Sequence, residues 1–224
     1  MKQDSLAEKA YQTLKDAIIT GVLKPGEMLN ERGASVRFAL SKTPVRESLH
    51  ALQNEGLVTS IPRAGYMVTQ ITIREIQQRF QVRLILETAV ADLVIENASE
   101  ETIRYLEERV HFSYVHGDIE SYKDFLKKNT TFHYQIALAS RNEVLAQIVL
   151  EVLEKLERAF HLELAVEDRS QEMVDTHIRL VNALKERDAA RARQIVRQEI
   201  TSSQGFIARA LSTKSSILFP SPSK

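Results

Sequence analysis

The stretch Ser41–Val58, "SKTPVRESLHALQNEGLV", decides how the first third of this chain is read. Val45, Leu49 and Leu52 recur at i, i+4 and i+7, which is the apolar stripe of an amphipathic helix. Lys42 and Arg46, four residues apart, fall on a different face. Pro44 fits only the first turn, where its missing N–H costs little and its fixed φ favours initiation. Ser41 or Thr43 is expected to supply the N-cap oxygen. The pattern predicts a helix that starts abruptly, with its basic end outward.

Working towards the N-terminus, Leu6, Ala10, Leu14, Ile18 and Ile19 outline an earlier helix, ended by Gly21, Pro25 and Gly26. A short helix is expected from Arg32 to Phe38. On the other side, "LVTSIPRAGYMVTQI" places β-branched residues on both flanks of a Pro62–Gly65 turn, which predicts a small hairpin. Helix, short helix, basic-fronted helix and hairpin is the order of a winged helix-turn-helix, whose recognition helix enters the DNA major groove by its N-terminal residues. Unpaired N–H groups there suit phosphate, and Ser41, Lys42, Thr43 and Arg46 cluster at that end. Arg63 and Gly65 would form the wing tip. The plainer reading makes Lys42 and Arg46 solvated charges on an ordinary helix.

From Thr72 the periodicity is almost purely helical, with Ser99, Asp118, Ser170 and Asp188 as expected N-caps and no proline until Pro220. The expected fold is mainly α. Its parts are a winged helix-turn-helix over residues 1–71, an all-helical bundle of six or seven helices over 72–210, and a flexible tail over 211–224, where Ser and Pro accumulate. The hinge is expected near Val68–Thr72.

Composition narrows the function. The 224 residues carry 43% hydrophobic side chains, an ordinary globular share, and no net charge. Residues 1–70 hold nine Lys/Arg against seven Asp/Glu, so only a local basic surface is available for nucleic acid. With no cysteine, disulfides, thiolate zinc fingers and cysteine nucleophiles are excluded. No uninterrupted apolar run approaches the roughly 20 residues of a membrane span, and the charged start resembles no signal peptide. A soluble, cytoplasmic protein is expected.

In the helical part, polar residues fall on apolar faces. Asn129 and His133 share a face with Leu126, Ile136 and Ala137. His177 shares one with Met173, Leu180, Val181 and Leu184, and Glu199 one with Ala192, Ile195, Val196 and Phe206. Such groups need partners, because an isolated buried carboxylate is too costly to leave uncompensated. A lone inward histidine is usually a satisfied core residue, so the faces alone leave open what the partners are.

The stretches "GVLKPGEMLNE", "SKTPVRESLHALQNEGLV" and "PRAGYMV" together resemble the signature of the GntR family of bacterial transcription regulators, over residues 5–70. The resemblance implies DNA contacts at Arg32, Ser41, Lys42, Thr43, Arg46 and Gly65. Lys42 stands where arginine is common, and lysine lacks the bidentate fork for guanine, so its role shifts towards phosphate. Gly33 and Ala34 replace a bulkier, more helix-favouring pair, which implies a less stable second helix.

"VRLILETAVADL", "FLKKNTTFHYQIALASRN" and "HIRLVNALKERDAARARQIVRQEI" resemble the FCD-type ligand-binding domain of the FadR branch, a helical bundle that also dimerises. In many such domains an aspartate and three histidines hold a divalent metal. His133 and His177 match two of those positions, while Asn129 replaces the aspartate and Glu199 the last histidine. The implied set is two imidazoles, one carboxylate and a weak amide oxygen, for which zinc, nickel, manganese and iron are all admissible. Arg83 matches a position facing the ligand cavity, where a guanidinium suits an effector carboxylate. A structural ion pair with Glu87 is the equal alternative. Together these imply a metabolite-responsive regulator, with repression the expected sense, that binds a two-fold operator as a homodimer. The alternative from another class is a metal-dependent hydrolase using His133, His177 and Glu199. It lacks a general base outside the ligand set.

Overall fold

The computed structural model describes residues 6–218, with side chains described to residue 211. It divides into two compact units that meet at Ile71 and Thr72. The first holds α1 (Leu6–Ile19), β1 (Met28–Leu29), α2 (Glu31–Arg37), α3 (Lys42–Asn54), β2 (Val58–Ile61) and β3 (Gly65–Val68). The three strands form an antiparallel sheet in the order β1-β3-β2, with Ile61 opposite Gly65 and Met28 opposite Met67. The apolar stripes meet as their spacing requires. Leu14 and Ile18 of α1 pack with Val45, Leu49 and Leu52 of α3, and Val58, Tyr66 and Val68 of the sheet close the core. Each fully buried leucine contributes about 1.5–3 kcal/mol relative to exposure.

Strand β1 was absent from the periodicity, because two residues are too few to show alternation. It explains Gly65. This residue has φ +112°, and a Cβ there would lie 2.3 Å from the Leu29 carbonyl oxygen. Gly65 therefore opens β3 and admits β1, while Pro62, Arg63 and Ala64 make the hairpin turn itself.

Helix starts show two corrections. Ser41 occupies the N-cap of α3 in extended geometry, yet its side chain makes no capping hydrogen bond. An N-cap oxygen ordinarily takes the N–H of the second or third helical residue, and the third here is Pro44, which has none. Ser170 is likewise the first residue of its helix rather than the cap, and its N–H donates to Asp168 Oδ1 at 3.0 Å. The weak-looking α2 is secured differently: Asn30 Oδ1 accepts from Gly33 N at 2.7 Å, and the absent side chain leaves room for that cap.

The second unit contains six helices among the described residues: α4 (Ile73–Asn97), α5 (Glu100–Glu107), α6 (Ile119–Ala139), α7 (Glu143–Val166), α8 (Ser170–Lys185) and α9 (Ala189–Leu218). Ser99 and Asp118 cap α5 and α6, and Asp188 Oδ1 accepts from Arg191 N at the start of α9. Helix α4 packs along α9, α6 along α7, and α8 against α9, so α4, α6, α8 and α9 converge on the interior. Helix α9 does not stop at residue 210. It continues to Leu218 because nothing before Pro220 removes a backbone donor, and residues 219–224 of the expected tail lie outside the described residues.

Candidate functional site

In the first unit, α3 presents Ser41, Lys42, Thr43 and Arg46 to solvent, α2 presents Arg32, and the hairpin turn presents Arg63 with φ +64°. Among the described residues, none of these four cations is held in an ion pair. The α1–α3 packing fixes the base of α3 and leaves its first turn exposed. Such an end offers N–H groups, hydroxyls and mobile cations to a polyanion.

The second unit brings together residues that lie far apart in sequence. His133 of α6, His177 of α8 and Glu199 of α9 each place one ligand-type atom within 4.8 Å of the others. Both imidazoles are buried and cross edge to face, 5.4 Å between ring centres. His133 Nδ1 donates to Glu87 Oε2 at 3.1 Å, since a carboxylate only accepts. That turns His133 Nε2 inward, 3.2 Å from Glu199 Oε1 but without the alignment of a hydrogen bond. His177 Nδ1 and Glu199 Oε2 are also buried without a hydrogen-bond partner. Each of the three clustered residues thus buries one nitrogen or oxygen without a hydrogen bond, the donor types a cation needs.

Arg83 lies against the same group. Only 3% exposed, it donates from Nε to Glu87 Oε1 at 2.5 Å and from Nη2 to Glu199 Oε1 at 3.0 Å. The structural ion pair is thus present, and it extends to a second carboxylate. Electrostatics follow from this crowding. Burial disfavours the His133 cation, but Glu199 and Glu87 on either side outweigh burial and push its pKa up to about 9. His177, without a carboxylate hydrogen bond, is pushed down by burial to about 4. Burial works against both carboxylates as well, yet the cations hold Glu87 and Glu199 below the usual range.

Beside the cluster opens a cavity of about 230 Å³, lined in part by Arg83, Asn129, His177, Glu199, Arg169 and Arg179. Asn129 is half-buried one turn before His133 and faces this space. Two parts of the site were not legible beforehand. Glu87 looked only like a partner for Arg83, and the 46 residues separating it from His133 hide the second bond. Arg169 joins a buried network with Glu163, donates from Nε and Nη2 to Glu172 at 3.0 and 2.8 Å, and stacks 3.9 Å over Phe206. It sits between helices, where no periodicity marks it.

Comparison with known proteins places these two constellations. Residues 78–202 match the FCD domain, and residues 6–68 match the description "Bacterial regulatory proteins, gntR family". The chain belongs to the GntR family. This GntR regulator is 27% identical over 188 residues to the HTH-type transcriptional regulator YdhC of Bacillus subtilis, covering 83% of this chain and 84% of that protein. It is 27% identical over 201 residues to the gluconate operon transcriptional repressor of the same organism, covering 87% and 82%. To the transcriptional repressor RspR of Escherichia coli it is 22% identical over 193 residues, covering 86% and 85%. Among solved structures, McbR/YncC of E. coli superposes with a TM-score of 0.68 over 92% of this chain and 99% of that one, at 21% identity, which shows a shared fold. The regulator is a mainly helical, DNA-binding transcription factor. Neither its family nor these relatives support a hydrolase, so that alternative is withdrawn: the inward histidines belong to the FCD domain. None of its described helices is long and apolar enough to cross a membrane.

Proposed function

We propose that this regulator is a metabolite-responsive repressor, which binds a two-fold operator as a cytoplasmic homodimer and is controlled through the helical unit. Two of the relatives matched over more than four fifths of each chain, RspR and the gluconate operon protein, carry repressor names, which supports the sense of control. In the first unit Arg46 reads base edges, Lys42, Arg32, Ser41 and Thr43 meet phosphate, and Arg63 with the Gly65 backbone approaches from the wing. The sensing part rests on one observation: His133, His177 and Glu199 cluster at the edge of an arginine-lined cavity, and each buries one nitrogen or oxygen atom that makes no hydrogen bond.

These residues fit a divalent metal. His133, His177 and Glu199 would hold it, with Asn129 as a weak fourth contact, and Glu87 orients His133 as an outer carboxylate does in histidine–metal sites. Zinc, nickel, manganese and iron all suit two imidazoles and a carboxylate. When bound, the ion supplies a Lewis-acidic anchor for an effector carboxylate. The protein's own part is to frame that carboxylate with Arg83, Arg169 and Arg179 and to seal the other side with apolar side chains. An effector controls DNA binding only by binding one arrangement of the dimer more tightly than another.

The test is metal titration of chelator-treated protein. Zinc or nickel at a hundredfold excess over Kd should stabilise the folded form by about 2.7 kcal/mol, read as a rise in Tm. His177→Ala should remove that rise. Identical melts with and without each metal would make the cavity metal-free and leave Arg83 and the imidazoles to bind an anion directly.

A further inference from the structure

A second and larger hollow lies on the other side of the histidine cluster. It measures about 530 Å³ and is bounded by the last turn of α5, the segment after it and one face of α6. Its floor is apolar: Leu106, Phe112 and Phe132 are buried, and Tyr105 flanks them with 40% exposure. Its rim is cationic. Arg109 lies 3.7 Å over the Tyr105 ring, and Lys127 and Lys128 stand on α6 one turn before Thr131 and Phe132. Asp124 is the one acid among the lining residues, and Lys128 takes it at 2.7 Å. Lys127 has no ion-pair partner among the described residues.

No residue lines both hollows. They are divided by two aromatic rings, since Phe112 and Phe132 pack against His177 with ring centres 5.2 and 4.9 Å apart. Ligand sites usually enclose about 300–1,000 Å³ with mostly apolar walls and few polar groups that fix orientation. A recessed aromatic floor beneath Lys127, whose charge is unpaired among the described residues, and Arg109, which meets Glu108 only at an exposed 3.3 Å contact, calls for a compact molecule with both features. A bilayer would meet the lysines first and leave the floor uncovered.

We propose that this groove is a second ligand site, for a small amphipathic organic anion with an apolar or aromatic body and a single carboxylate or sulfonate head. The body lies over Tyr105, Phe112 and Phe132. The head meets Lys127 and Arg109.

The probe is 8-anilinonaphthalene-1-sulfonate, titrated by fluorescence into the full-length protein, with octanoate and octanol as competitors. The expected result is one saturable site per chain, displaced by octanoate and not by octanol at equal concentration. Lys127→Glu combined with Arg109→Glu should weaken probe binding about tenfold or more, because each reversal turns an attraction into a repulsion. Arg74→Glu, a charge reversal outside the groove lining, should not. Thr131→Trp, which fills the groove without changing charge, should block the probe while circular dichroism keeps its helical signal. Equal affinity in all variants would overturn the proposal, as would equal displacement by octanol. Sedimentation with phosphatidylglycerol vesicles that depends on Lys127 and Arg109, with no competition by octanoate, would also overturn it and make the surface a membrane contact.

Discussion

The two units treat their cations in opposite ways. In the DNA-binding unit, Arg32, Lys42, Arg46 and Arg63 are exposed and unpaired among the described residues; in the helical unit, Arg83 and Arg169 are buried and locked to Glu87, Glu199, Glu163 and Glu172. An exposed charge contributes little to folding and can be spent on a partner, whereas a buried one cannot be removed without stranding the groups around it. Stability and recognition are therefore separable at one end of the molecule. At the other they share the same atoms.

The largest effect that tests this contrast is at Arg83. Arg83→Ala leaves Glu87 and Glu199 with His133 as their one remaining shared cation among the described residues, and breaking such a buried pair typically costs about 3–5 kcal/mol. Urea denaturation should show that loss. A loss below about 1 kcal/mol would mean that water or another cation already compensates the two carboxylates. Next comes Gly65→Ala, which forces a Cβ against the Leu29 carbonyl at an unfavourable φ. It should destabilise the first unit by about 2 kcal/mol or more, against about 0.5 kcal/mol for an ordinary surface change.

Arg46→Ala should behave in the reverse manner. Operator affinity should fall by about 1–3 kcal/mol while the urea midpoint moves by less than about 0.5 kcal/mol equivalent. Binding at the wild-type level would remove Arg46 from the reading set. Lys42→Ala should weaken specific and unrelated DNA alike and flatten the salt dependence.

A smaller effect is the pH profile of chelator-treated protein. His133 titrates at about 9 when folded against 6.5 in its ordinary state, so its contribution is complete below about 6.5 and is lost as pH rises through about 9. His177, held near 4, has the opposite sign: its contribution is present above about 6.5 and is lost as pH falls towards 4. Urea midpoints across this range should lose their alkaline decline in His133→Gln. Smallest of all is Ser41→Ala. Removing an N-cap side chain usually costs about 1 kcal/mol, but this one caps nothing, so the change should stay within about 0.5 kcal/mol. Asp118→Ala, at a working cap, should show the full cost.

The same contrast governs what could be read from the sequence. Surface function lies in contiguous runs: "SKTPVRESLHALQNEGLV" carries stripe, proline and cations in one helix, and α3 forms as its spacing predicts. Inward-facing histidines were equally visible, since His133 and His177 sit on apolar stripes and are buried. Their neighbours were not. Glu87 reaches His133 across 46 residues, and Arg169 occupies a turn between α7 and α8, so neither leaves a periodic trace. The Ser41 cap failed for a local reason that the sequence did contain. Pro44 removes the very N–H such a cap would take.

That vacancy has a kinetic consequence. Helix α3 begins with amides at Lys42 and Thr43 that the Ser41 side chain does not cap, which leaves them open to solvent in the free protein. DNA phosphate would become its missing cap. Hydrogen–deuterium exchange should therefore be fast at these two amides and slow on operator binding, while the Leu49 and Leu52 amides, already bonded within the helix, keep their rate. The first turn of the reading helix would then be assembled jointly by protein and DNA.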